Sequence, residues 1–171
     1  MADRVGKIMS GLRRFARNRR GVAAVEFAMI GPVFILLMCG ILENGLILLT
    51  QSVLDNATRV ASRQILLGTV ASSSAFTTAV CNNASSIIPS CTTNLKVNVQ
   101  AGSSFASFTA TPQTDANNNM INTAFNQGIG QQYVLVQVGY NRPFLLPWYG
   151  TFAGVKSELL VSTLAFKNEP Y

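Results

Sequence analysis

Apolar residues run almost without interruption from Val22 to Leu49 (VAAVEFAMIGPVFILLMCGILENGLILL), and the stretch Phe27–Leu42 carries no charge at all. A helix needs about 20 mostly apolar residues, at about 1.5 Å each, to cross roughly 30 Å of hydrocarbon. The run exceeds that length, so the pattern predicts one transmembrane helix. No later run is comparable, and the expected topology is single-pass. From Thr50 to Leu67 the spacing becomes that of an amphipathic helix. Val53, Ala57, Val60 and Leu67 fall near one stripe with Leu54 and Ala61 beside it, while Asp55, Arg59 and Arg63 occupy other faces, Asp55 and Arg59 four apart. The expectation is one long helix, with a break near Gly45 or Thr50 as the alternative.

Beyond it the pattern changes twice. About half of residues 68–132 are Ser, Thr, Asn or Gln, and only Lys96 and Asp115 are charged. This composition suits an extracytoplasmic, loop-rich region. Within and after it, Leu95–Ala101 alternates with a period of two and predicts a half-buried strand, whereas Tyr133–Tyr140 is evenly apolar and predicts a central one. Leu159–Phe166 predicts a third strand and Phe105–Ala110 a weaker fourth, with a short helix over Met120–Phe125. Strands joined without long crossover helices pair antiparallel. The fold class expected is therefore α+β, a long N-terminal helix packed on a small antiparallel sheet.

Charge adds a leader to this picture. The chain has 13 Lys+Arg against 7 Asp+Glu. Seven of those bases (Arg4, Lys7, Arg13, Arg14, Arg17, Arg19, Arg20) and one acid, Asp3, precede Gly21, so the rest of the chain sums to zero. The basic balance describes a tail, which argues against a nucleic-acid-binding face. The positive-inside bias then places the N-terminus in the cytoplasm and everything after about residue 50 across the membrane. The organisation expected is a basic leader over 1–21, a transmembrane helix over 22–49, its amphipathic continuation over 50–67 and an exported domain over 68–171. A secretory signal peptide would need a shorter apolar region and a small-residue cleavage site beyond it. Here the run passes into Glu43 and Asn44 instead.

Glu26 is the residue that a plain anchor leaves unexplained, because a carboxylate one turn inside an apolar helix is costly and marks a functional position. It belongs to Gly21-Val22-Ala23-Ala24-Val25-Glu26-Phe27, preceded by Arg19-Arg20. This segment resembles the processing site of type IV prepilins, a basic leader ending in Gly with Glu five residues beyond it. The longer stretch 19–63 resembles the TadE-like pseudopilins of the tight-adherence pilus system, and Phe166–Tyr171 is similar to that family's usual ending. Phe27 departs from the Tyr common in the major pilins. The resemblance implies a pilin-like fold and cleavage by a membrane prepilin peptidase between Gly21 and Val22. It also implies an assembly role whose partners are other pilins and pseudopilins, the pilus platform and the secretin. The setting is the bacterial inner membrane, with incorporation into the pilus open. Loss of the leader frees the Val22 amino group, and the Glu26 carboxylate can neutralise it within a subunit or between neighbours, which lowers the cost of burying either charge. Simple snorkelling of Glu26 to the interface is the plainer reading.

The remaining candidates are structural. Glu43 is the 22nd residue counted from Val22, roughly 33 Å along the helix, and marks where the membrane ends. Pro32 removes a helix hydrogen bond and is expected to kink the span. Cys39 reads as a small apolar residue. Cys81 and Cys91 lie ten apart and suit a disulfide in an oxidising compartment, against two free thiols. Phe144, Trp148 and Tyr149 sit in an aromatic loop that packs inward or offers a partner surface. The chain contains no His. Gly150–Ser157 fails the spacing of a phosphate loop and no acids pair on one element, so neither catalysis nor a cofactor or metal is expected. The alternative function is an uncleaved single-pass envelope protein that binds a ligand or partner through its exported domain.

Overall fold

The computed structural model describes residues 21–70, 72–84 and 87–170; the basic leader up to Arg20 and Tyr171 lie outside the described residues. Helix α1 runs unbroken over Val22–Leu66, 45 residues, through Pro32, Gly45 and Thr50. It stops where Gly68 takes a left-handed φ of 67° and the Thr69 N–H returns to the Gln64 carbonyl at 2.9 Å, a glycine-terminated helix end. The chain divides within α1 into two compact units, one ending at Leu42 and the other beginning at Glu43.

In the second unit the buried stripe of α1 is Thr50, Leu54, Ala57, Thr58, Ala61, Ser62 and Ile65. Periodicity placed Val60 and Leu67 on that stripe, but they are 43% and 51% exposed. Leu54, Ala57 and Ala61 are buried as the periodicity expects, and Thr58, Ser62 and Ile65 complete the face, where the small residues let the helix backbone approach the core closely. Asp55 is engaged by Gln51 Nε2 at 3.0 Å, and the same amide donates to the Val161 carbonyl at 3.1 Å.

The sheet is a three-stranded antiparallel β1-β2-β3, formed by Leu95–Gly102, Tyr133–Pro143 and Ser157–Lys167. Its register pairs Val97 with Val138 and Val136 with Leu164. β2 is central, as its even apolarity predicts. Val134, Val136, Val138 and Tyr140 join the core with α1 and with α2, Ser73–Ala84. Helix α2 was not predicted. Its composition is polar, yet Phe76, Val80 and Ala84 recur at four-residue spacing on its buried face, and the Ser72 hydroxyl caps its first turn through the Ala75 N–H. Cys81 and Cys91 are disulfide-bonded with Cα atoms 5.7 Å apart, which ties α2 to the short helix α3, Cys91–Asn94.

The opposite face of β2, with Leu135, Gln137 and Gly139, is covered by the 103–132 connection. Asn98 donates to Gln137 Oε1 at 2.9 Å, and Gln137 donates to the Ala110 carbonyl at 2.6 Å. Met120 fills the space above Gly139, where a Cβ would sit 3.2 Å from its sulfur. The helix expected over Met120–Phe125 is extended chain instead. The Val99 backbone accepts from Asn126 N at 2.9 Å and donates to the Ala124 carbonyl at 2.8 Å, and satisfying that sheet edge requires an extended partner. The strand expected over Phe105–Ala110 is replaced by a 3₁₀ turn, Phe105–Ser107, nucleated when Ser104 Oγ accepts from the Ala106 N–H. The last described residues close the domain. Asn168 Nδ2 donates to the Gln127 carbonyl at 2.8 Å, and the Glu169 N–H donates to the Leu66 carbonyl at the end of α1.

Two predictions follow from this packing. Without reductant, neither Cys81 nor Cys91 should be alkylated, and Cys81→Ser should cost about 2–4 kcal/mol of stability in denaturant titration, with labelling of both thiols in unreduced protein as the contrary result. Tyr140 donates its hydroxyl to the Pro89 carbonyl at 2.8 Å, and burial raises its pKa above the ordinary 10.0 against a smaller lowering by Arg142. Folding thus favours the neutral phenol, a contribution present below pH 10.0 and lost as pH rises through the higher folded value. The unfolding midpoint should fall less steeply above that pH in Tyr140→Phe than in the parent.

Candidate functional site

Gly21 and Val22 open the described chain, and Val22 is the first residue of α1. Val22 is 50% exposed, Phe27 is 75% exposed and Glu26 is also exposed. Val22 and Glu26 stand four apart on α1, so the Val22 nitrogen and the Glu26 carboxylate lie on the same side of the helix about one turn apart. A Cβ added to Gly31 would lie 3.5 Å from the Phe27 ring, so the aromatic at this position folds back over a residue that offers it a flat surface. Pro32 lies inside the helix, and Cys39 is a free, half-buried thiol. Among the described residues α1 is the one helix long and apolar enough to cross a membrane, and no residue of its most apolar stretch is buried.

The second constellation was not legible as such. Glu43 is 1% exposed, although α1 carries exposed apolar side chains on either side of it at Ile41 and Leu46. Its Oε1 accepts from Arg142 Nη1 at 2.6 Å and from the Leu145 N–H at 3.3 Å, and its Oε2 accepts from the Leu146 N–H at 3.3 Å. Both carboxylate oxygens are thus occupied, as a buried anion requires. Arg142 stands near the end of β2, 99 residues away in sequence. The two N–H groups are available because the chain leaves β2 at Pro143 and turns into α4, Pro147–Ala153, with proline in its first turn. Glu43 therefore does more than mark a boundary: it anchors the segment that follows β2.

The aromatic candidates are built around the same point. Trp148 and Tyr149, expected in a loop, lie in α4, which ends at Gly154 with a left-handed φ of 71°. Val155 N bonds to the Gly150 carbonyl at 3.0 Å, and a Cβ on Gly150 would meet the Val155 carbonyl at 2.5 Å, so only glycine fits there. The Phe144 and Tyr149 rings lie 5.3 Å apart, and Trp148 meets Tyr149 edge-on at 6.3 Å. The Asn44 amide reaches the Tyr149 hydroxyl at 3.3 Å. Phe144, Trp148 and Tyr149 are thus gathered beside Glu43 and Asn44. Sequence reasoning missed Arg142. The signal available was a lone base at the end of an apolar strand, in a chain whose charges after residue 20 balance.

Comparison with known proteins adds one finding: residues 21–63 match the family of TadE-like proteins. No curated protein and no solved structure matches the chain. The match begins at Gly21 and ends within α1, so it covers the apolar run, Glu26, Glu43 and most of the buried stripe.

Glu43→Gln and Arg142→Gln each leave an uncompensated group in a buried site and should each cost about 3–5 kcal/mol, whereas Glu43→Gln and Arg142→Gln together should cost much less than the sum. Chemical unfolding of the four proteins in detergent, followed by far-ultraviolet circular dichroism, measures this. Simple additivity would show that the two side chains are not coupled.

Proposed function

We propose that this chain is a minor pseudopilin, a non-catalytic structural protein made as a precursor and used to assemble tight-adherence pili. The observation that carries the reading is the coincidence of two boundaries at one position. The basic leader ends and the TadE-like match begins at Gly21, immediately before the apolar run of α1. A membrane-embedded peptidase needs its scissile bond at the cytoplasmic face, and a glycine there offers a backbone without a Cβ to crowd the active site. Cutting after Gly21 removes all the excess positive charge. The bases that hold the helix ends in place no longer oppose withdrawal from the bilayer. Glu26, on the same side of the helix as the new amino terminus, then compensates it as helices pack together. Other pilins, the pilus platform and the secretin are the partners that this role requires. The chain spans the inner membrane once, with its N-terminus cytoplasmic and everything after about residue 50 on the far side.

Protein extracted from membranes should begin at Val22 and be smaller than the precursor by roughly 2.4 kDa. An intact-mass spectrum with the leader retained would favour an uncleaved envelope protein instead. Glu26→Gln preserves shape and hydrogen bonding but removes the charge, so it should leave leader removal intact and abolish surface piliation. In a plain anchor the same change relieves a costly intramembrane carboxylate and improves insertion. Undiminished piliation in cells expressing only Glu26→Gln would refute the role given to that charge.

A further inference from the structure

The second unit is inside out at one end. In a water-soluble domain, leucines are buried and carboxylates face solvent. At the start of this unit the order is reversed: Glu43 is 1% exposed, while Leu46, Leu48 and Leu49 are 37%, 70% and 48% exposed. One turn farther along α1 the ordinary pattern returns, with Ser52, Asn56 and Arg59 exposed. The segment after β2 repeats the reversal. Leu145 is 67% exposed, yet its N–H is bonded to the Glu43 carboxylate. The aromatic side chains of that segment lie at the same level, because Tyr149 is joined to Asn44. Hiding the ion pair and displaying the leucines is the arrangement that a low-dielectric exterior favours.

We infer that this end of the domain, residues 43–49 of α1 and the segment 144–149, is seated in the outer lipid layer, and that its partner is a bilayer surface. Leu46, Leu48, Leu49 and Leu145 meet the boundary between acyl chains and headgroups, and Trp148 and Tyr149, level with Asn44, lie in the same boundary layer, where amphipathic rings accumulate. The depth agrees: Glu43 to Leu49 spans about 9 Å of helix, close to the thickness of one headgroup layer with the adjoining acyl carbons. Beside the aromatic segment, Phe144, Val155 and Lys156 line a cleft of about 390 Å³. The Glu43–Arg142 pair then has a second consequence, since it fixes how deep the segment sits. This inference rests on α1 being a membrane anchor.

Trp148 is the chain's single tryptophan, so its emission reports this segment directly. The full chain is reconstituted in vesicles of phosphatidylcholine with a minority of phosphatidylglycerol, brominated either near the headgroup or near the chain ends, and insertion is scored separately by resistance to alkaline extraction. Trp148 should lose at least half its emission to shallow bromination and clearly less to deep bromination. Leu145→Asp should weaken that quenching while the protein stays inserted. An inserted chain whose Trp148 is unquenched overturns the inference and leaves the anchor reading intact. Emission that follows the protein-to-lipid ratio and ignores bromination assigns the face to a second copy and also overturns it. A chain that is extracted at alkaline pH overturns the anchor reading, and this inference with it.

Discussion

A carboxylate at residue 43, in a helix whose neighbours are leucine and isoleucine, cannot be left without partners in a buried place. Each oxygen must be given a donor, and the donors available lie at the end of β2: one guanidinium and two backbone N–H groups. Meeting that requirement fixes a good deal at once. The strand must run far enough for Arg142 to reach the helix. The chain must then turn sharply enough for the N–H groups of Leu145 and Leu146 to point at the same carboxylate, which Pro143 and Pro147 favour on either side. The aromatic helix α4 follows in a place that it does not choose for itself. The pair need not raise net stability over an apolar substitute, since desolvation offsets much of the attraction. What it adds is register between α1 and the sheet.

The long helix, the three paired strands and their antiparallel order were legible because each rests on a strong, local pattern: an uninterrupted apolar run, a period of two, an evenly apolar central strand. The disulfide was legible from two cysteines ten residues apart. Helix α2 was not, because its buried face is only Phe76, Val80 and Ala84 in a Ser/Thr/Asn context, and the Ser72 cap carries little weight before a helix is suspected. The buried stripe of α1 was misplaced in part for a related reason. Hydrophobic periodicity finds Leu54, Ala57 and Ala61 but also rewards Val60 and Leu67, whereas the closeness of helix and core selects Thr58 and Ser62. Residues 120–125 show tertiary demand overriding local preference, since the edge of β1 at Val99 recruits them as extended chain.

The candidate sites divide in the same way. The Gly21–Phe27 segment is contiguous and reads directly from sequence, and the TadE-like match falls on it. The Glu43 cluster unites residues 99 positions apart, and no spacing rule joins them. Its members are also individually ordinary: an acid after an apolar run, an arginine at a strand end, two backbone amides. Only burial distinguishes them from surface groups.

The bond from the Glu169 N–H to the Leu66 carbonyl sets an order of events. Helix α1 is synthesised first, and its last carbonyls are satisfied locally except that of Leu66, while the cover of its buried stripe comes from α2 and the sheet. Until those residues have emerged, Leu54, Ala57 and Ile65 have no sheet to pack on, and Glu43 has no arginine. The contacts that complete the packing around α1 are therefore long-range ones, drawn from the end of the chain back to its beginning. A chain ending before residue 142 would carry the Glu43 carboxylate without any of the three donors that surround it here.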